Sequence, residues 1–252
     1  MIINVRFCIK QRGKQLETVT VPEKIVERKI IVFKSRLDLN AIRLAAEKMK
    51  TELFTRFMFM KPKRREIHIV SIDKYYEPYI VVDGKYTIDY STKWVHTIEV
   101  DETMQEITLF GKTLRSEPSK NPEIPRKVIR LAGEGRFRHE NKAHIIFDRW
   151  WREVGLEQLP YVPFEEQPEK ILKTLNKRFG NVKIPDEKEI EMLRSRIAQR
   201  PMDIAHVHKE LFVVSERAVI YKPMYKLTFQ NIKTGEEATA TIDAVTGQNY
   251  KE

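Results

Sequence analysis

The sequence predicts an α+β protein of two related modules, each a helix packed on an antiparallel β-meander, joined by a basic, proline-flanked middle segment. The first observation behind this is repetition. Glu66-Ile67-His68-Ile69-Val70-Ser71, Tyr76-Glu77-Pro78-Tyr79 and Ile98-Glu99-Val100-Asp101 return as Glu210-Leu211-Phe212-Val213-Val214-Ser215, Tyr221-Lys222-Pro223-Met224 and Ala240-Thr241-Ile242-Asp243. The offsets are 144, 145 and 142 residues, differences that surface turns absorb. The second observation is that apolar residues at three- and four-residue spacing precede each set of strings. The third is a series of turn signals that cuts the strings into strands.

Residues 1–36 read as an N-terminal β-hairpin. Val5, Phe7 and Ile9 alternate with polar residues, Gln11-Arg12-Gly13-Lys14 supplies a turn, and Lys29-Ile30-Ile31-Val32-Phe33 follows Pro22. The first module spans 37–115. Asp38 caps a helix whose Ile42, Ala45, Ala46, Met49, Leu53 and Phe57 share one face until Pro62. Strands are expected at 66–72, 75–82, 85–90, 94–100 and 106–110, with Asp83-Gly84 as a tight turn, because glycine accepts the positive φ of the primed hairpin turns. The helix should bury Ile42, Met49 and Leu53 against Ile67, Ile69 and Val81.

Residues 116–125 form a linker with three prolines, and 126–168 a basic, aromatic middle segment in which Phe147, Trp150 and Trp151 share a helical face. The second module fills 169–252. It begins with helices at 169–179, closed by Gly180, and 186–199, capped by Asp186 and stopped by Pro201; its meander runs from Ile204, with turns at Thr234-Gly235 and Thr246-Gly247. Pro78 and Pro223 lack the N–H a ladder needs, so they belong on edge strands or bulges.

The string Tyr225-Lys226-Leu227-Thr228-Phe229, Lys233-Thr234-Gly235, Ala238-Thr239-Ala240-Thr241-Ile242-Asp243-Ala244-Val245-Thr246-Gly247-Gln248 resembles the last two strands of PepSY-type modules. In that family a helix precedes a small antiparallel sheet and a D-A-x-T-G turn closes the final strand. The resemblance covers about the last quarter of the chain and implies a binding or modulating role. The first repeat departs from it, since Asp101-Glu102-Thr103-Met104 lacks the terminal glycine.

The chain has 252 residues, 41% hydrophobic and 33% charged, so it can bury ordinary cores without metal or disulfide. Few glycines beside so many charges point to a heat-adapted, thermophilic source. The single Cys8 excludes an intramolecular disulfide and a cysteine zinc site. With no apolar leader at Met1 and no apolar run of about 20 residues, a cytoplasmic location away from membranes is expected.

Net charge is +10. Such an excess favours a polyanionic partner. It concentrates at Lys61, Lys63, Arg64 and Arg65, and in the span from Arg126 to Arg152, where Arg126, Lys127, Arg130, Arg136, Arg138, Lys142, Arg149 and Arg152 face only Glu134, Glu140 and Asp148. These cations are the candidate nucleic-acid contacts. Trp150, Trp151, Tyr161 and Phe164, lying between the modules, are the candidate protein interface. The tyrosines around the Tyr-x-Pro strings, Tyr75, Tyr76, Tyr79, Tyr221 and Tyr225, either close a core or form a platform for bases.

Catalytic signatures are missing. Leu131-Ala132-Gly133-Glu134-Gly135-Arg136 has G-x-G without the third glycine of a phosphate loop, and no G-x-S-x-G elbow occurs. His206 and His208, at i and i+2 of a strand, have a chelating spacing but no evident third ligand, so neither metal nor cofactor is assigned. The reading is therefore a non-catalytic factor that binds structured RNA or a ribonucleoprotein such as the ribosome. The alternatives are a protein-interaction scaffold or homo-oligomeric adaptor, and a hydrolase with an unrecognised site. Self-association, in the adaptor case, is expected to use aromatic or helical surface and not strand addition.

Overall fold

The computed structural model describes residues 5–6, 20–54, 62–119, 127–179 and 184–251. The expected turn at residues 11–14, Cys8, Phe57, Lys61 and Arg126 lie outside the described residues. The elements are β1 (Val5–Arg6), β2 (Thr20–Val21), β3 (Glu23–Ile25), β4 (Lys29–Val32), α1 (Leu39–Leu53), β5 (Ile67–Val100), β6 (Glu106–Leu109), β7 (Lys112–Arg115), β8 (Glu117–Pro118), β9 (Lys127–Phe147), α2 (Pro168–Phe179), α3 (Lys188–Ile197), β10 (His206–Asn231), β11 (Glu237–Asp243) and β12 (Asn249–Lys251). Among the described residues the protein is α+β, with three helices and mostly antiparallel sheet. An eight-stranded sheet runs in the order β12-β11-β10-β5-β9-β8, and β3 and β4 also join β10; β4 does so in parallel. Among the described residues no helix is long and apolar enough to cross a membrane.

The chain divides into two compact units. Unit 1 takes the described residues of Met1–Lys24, Lys85–Lys142 and Ser195–Val213; unit 2 takes those of Ile25–Gly84, Ala143–Arg194 and Val214–Glu252. Strands β5, β9 and β10 each pass from one unit into the other along the chain.

In unit 2 the Asp38 carboxylate accepts the Ala41 N–H at 2.7 Å, which caps α1 as its sequence predicts. Ile42, Ala46 and Met49 of α1 are buried against Ile67, Leu227, Phe229, Ala240 and Ile242. Each large side chain so buried contributes about 1.5–3 kcal/mol. The helix expected on a first meander therefore packs mainly on β10 and β11, strands of the second repeat, and Val81 belongs to a different cluster with Tyr79, Ile146 and Ala218. Two separate helix-on-meander modules do not describe this packing.

The repeated Tyr-x-Pro string has a cause in β10. One side of that strand pairs with β4 through residues 218–221 and with β11 from Met224 onward. Pro223 falls at the changeover, so no ladder bond is lost, and its carbonyl accepts the Ala244 N–H at 3.0 Å. Lys222, buried beside it, faces Asp243 at 3.1 Å, donates to the Gln158 carbonyl at 3.0 Å and lies 5.0 Å from the Tyr79 ring centroid. Asp243 Oδ1 accepts the backbone N–H groups of Val245 and Thr246, and Gly247 follows with φ of 78°. Burial alone would raise the Asp243 carboxyl. The Val245 hydrogen bond and the Lys222 charge outweigh that effect and hold it below its ordinary value.

Two local expectations are corrected. Asp83-Gly84 is no turn: both residues lie inside β5, and the runs on either side, Tyr79 to Val82 and then Tyr86 and Ile88, are buried. A strand with neighbours on both sides gains more from continuous pairing than from a local turn preference. Nor is the Phe147–Trp151 stretch helical. It ends β9, and Asp148 Oδ1 accepts the N–H groups of Trp150 at 2.8 Å and Arg152 at 3.0 Å, which closes a turn in place of a helix.

Candidate nucleic-acid interface

The expected cations divide between the two units. Lys63, Arg64 and Arg65 are exposed in a short turn of unit 2, where Arg64 donates to the Glu47 carbonyl at 3.0 Å. Arg149 and Arg152 also belong to unit 2, and pair with Glu77 at 3.5 Å and Asp148 at 2.7 Å. The others lie on β9 in unit 1. There Lys127 donates to the Met104 carbonyl at 3.2 Å, Arg130 faces Glu117 at 3.9 Å, and Arg136 Nε binds Asp89 at 2.8 Å. Glu140 serves both Arg138 at 3.9 Å and Lys142 at 2.9 Å. The Arg136 hydrogen bond holds Asp89 below the usual carboxylate range, and the Lys142 bond does the same for Glu140. Strand alternation sets Arg130, Glu134, Arg136, Arg138, Glu140 and Lys142 along one face, so that face carries mixed sign.

Unit 1 has a second cluster that sequence reasoning missed. In the last stretch of β5, residues 93–99 are all exposed, and β9 runs beside them. The Trp94 indole lies across Gly133 and Gly135: a Cβ on Gly133 would stand 3.4 Å from the indole ring. One on Gly135 would stand 2.7 Å from the Phe137 ring and 3.1 Å from Trp94. The two glycines of the G-x-G string clear floor for two rings, which is their role here in place of a phosphate loop. Tyr90 stacks on Phe137 with centroids 5.8 Å apart and planes at 29°, and His96 meets Trp94 edge-on at 5.9 Å. Trp94 is 38% exposed and Phe137 45%. Alternation of Tyr90, Trp94, His96 and Ile98 on one strand, opposite a G-x-G-x-aromatic string on another, is the sequence signal that could have found this face.

His206 and His208 do lie together, ring centroids 4.8 Å apart, but among the described residues no group of three or more His, Cys, Asp or Glu is placed to hold a metal ion. His208 Nε2 instead meets Ser91 Oγ at 2.6 Å. That is nucleophile-to-base spacing, but Ser91 is buried.

The expected protein-interface rings separate by exposure within unit 2. Trp150 is 58% exposed under the guanidinium groups of Arg149 and Arg152, at 4.0 and 4.7 Å; Tyr161 and Phe164 are exposed as well. Trp151 is half-buried, against Phe147 and with Lys188 over its ring at 4.5 Å, so it is a packing residue. Comparisons with family models, curated proteins and solved structures found no match to the chain.

Proposed function

We propose that the protein is a non-catalytic RNA-binding factor whose unit-1 aromatic face takes unpaired bases from loops or ends of a structured RNA or ribonucleoprotein. The observation that carries this is the cleared strand floor, where Gly133 and Gly135 let Trp94 and Phe137 lie open beside Tyr90. Each base stacked on an aromatic ring is worth about 1–3 kcal/mol and needs no particular sequence. The charged residues of β9 alternate with Gly133, Gly135 and Phe137, so they lie on the opposite face of the strand and are already paired with carboxylates, and they add little phosphate contact at the rings. Binding should therefore weaken with salt less steeply than the number of lysines and arginines suggests.

Support for the protein-scaffold alternative comes from Trp150 between Arg149 and Arg152, an exposed arginine–tryptophan arrangement of the kind that dominates protein interfaces. A modulating role, which the PepSY-like string would imply, is compatible with a binding factor. Anisotropy titration of a labelled single-stranded RNA against the duplex of the same sequence tests the main proposal. Preference for the single strand, lost in Trp94→Ala, is expected; equal binding of both forms, unaffected by that change, would sink it.

A further inference from the structure

Strand β5 outruns its neighbour. Glu210 of β10 lies by Tyr86, with the tyrosine hydroxyl donating at 2.6 Å, and Ala205 lies by Ser91, so the strands run in opposite directions and β10 begins at His206 while β5 continues to Val100. Among the described residues no strand takes the place of β10 beside residues 92–100. The Ser91 carbonyl accepts the Ala205 N–H at 2.9 Å, which marks the side that odd-numbered residues face. In a regular strand the N–H and C=O groups of Lys93, Val95, Thr97 and Glu99 then point to the open side. Unguarded edges of this kind invite pairing, and proteins normally blunt them with proline, a bulge or a short strand. This stretch has no proline, and Val95 is 62% exposed.

We infer that the edge pairs with a second copy of itself. Placed antiparallel about His96, Thr92-Lys93-Trp94-Val95-His96-Thr97-Ile98-Glu99-Val100 is self-complementary. Lys93 faces Glu99 of the other copy, Trp94 faces Ile98, and Val95 faces Thr97. Neither Lys93 nor Glu99 has an ionic partner among the described residues, and both are exposed. The register also satisfies the backbone. Lys93–Glu99 and Val95–Thr97 are pairs of odd-numbered residues, which exchange hydrogen bonds, while Trp94–Ile98 and His96–His96 are the closer non-bonded pairs on which side chains pack. A two-residue slip sets Glu99 opposite Ser91 or Val95 and loses the ion pair; a one-residue slip mixes the faces. The result is an isologous dimer by strand addition, contrary to the expectation that edge prolines would prevent it, because Pro78 and Pro223 lie elsewhere in β5 and β10.

Sedimentation equilibrium of the full chain over a concentration series reads the outcome. A mass near twice 29.9 kDa is expected for the native protein. Lys93→Glu and Glu99→Lys, each setting like charges in opposition twice per dimer, should weaken association about tenfold, and the double variant should restore it. Val95→Pro removes an outward N–H without touching the β9 side of the strand, so it should give a monomer with native circular dichroism that still binds single-stranded RNA through Trp94. A native monomer throughout the series would overturn the inference, as would a double variant no tighter than the single ones. Loss of RNA binding in Phe137→Ala, a change on β9 away from the paired edge, with the dimer intact leaves the edge inference supported and separate from the RNA reading.

Discussion

The two ends of β5 are made of similar residues and meet opposite fates. In unit 2, Tyr79, Ile80, Val81 and Val82 are buried in succession, on both faces of the strand. In unit 1, Lys93 to Glu99 are exposed in succession, although Trp94, Val95 and Ile98 are as apolar and as suited to a strand. The difference lies in what covers them: Tyr79 and Val81 pack with Ile146 and Ala218, while Trp94, Val95 and Ile98 keep 38%, 62% and 38% of their surface exposed. Contiguous apolar surface left open on a sheet is surface available to a partner. That contrast, and not the count of cations, carries the functional reading.

The contrast breaks most severely in the covered part. Lys222→Ala should cost about 3–5 kcal/mol in denaturant unfolding, because it leaves the Asp243 carboxylate buried without its charge partner. Leu227→Ala, under α1, should cost about 2–5 kcal/mol by the same measurement. Acid gives a graded version. The Asp243 carboxyl is depressed in the folded state, so its contribution is complete above the ordinary value of 3.8 and fades as pH falls through the lower folded value. Asp243→Asn should flatten that acid limb in a pH series of melts. In the uncovered part the expected effects move from stability to affinity: Trp94→Ala should leave unfolding nearly unchanged and weaken single-stranded RNA binding by about 5- to 150-fold. Gly135→Val should displace Phe137 and produce a smaller loss. Smallest of all, Arg136→Ala and Arg138→Ala should each leave the unfolding midpoint nearly unchanged and shift the salt dependence slightly.

The repeated strings show what was legible. Asp38 as a cap, α1, α2 and α3, and the turns at Gly235 and Gly247 follow from local chemistry that needs no distant partner. Lys222 and Asp243 are in the sequence too, but only folding reveals that they meet. The first copy carries Glu77 where the second has Lys222, and Glu77 pairs with Arg149 instead. One letter thus separates a buried lock from an ordinary ion pair, and similar strings need not build similar modules. Asp83-Gly84 misled because a turn preference was weighed without the neighbours that hold β5 straight. For the site, the cations were legible as residues and their neutralisation was not, since Asp89 and Glu117 lie far from Arg136 and Arg130 in the chain. Gly133 and Gly135 carry no phosphate-loop signature, and their role is hidden in the sequence because it depends on Trp94, on another strand.

Unpaired bases, on the reading proposed above, rest on the Trp94 and Phe137 rings. Photocrosslinking of a single-stranded RNA carrying 4-thiouridine, followed by peptide mapping, tests it without reliance on affinity. Crosslinks are expected in the peptides that hold Trp94 and Phe137, lost on Trp94→Ala and Phe137→Ala. Crosslinks confined to the peptides of Arg64 and Arg65 or of Trp150, with none on β5 or β9 in unit 1, would contradict it.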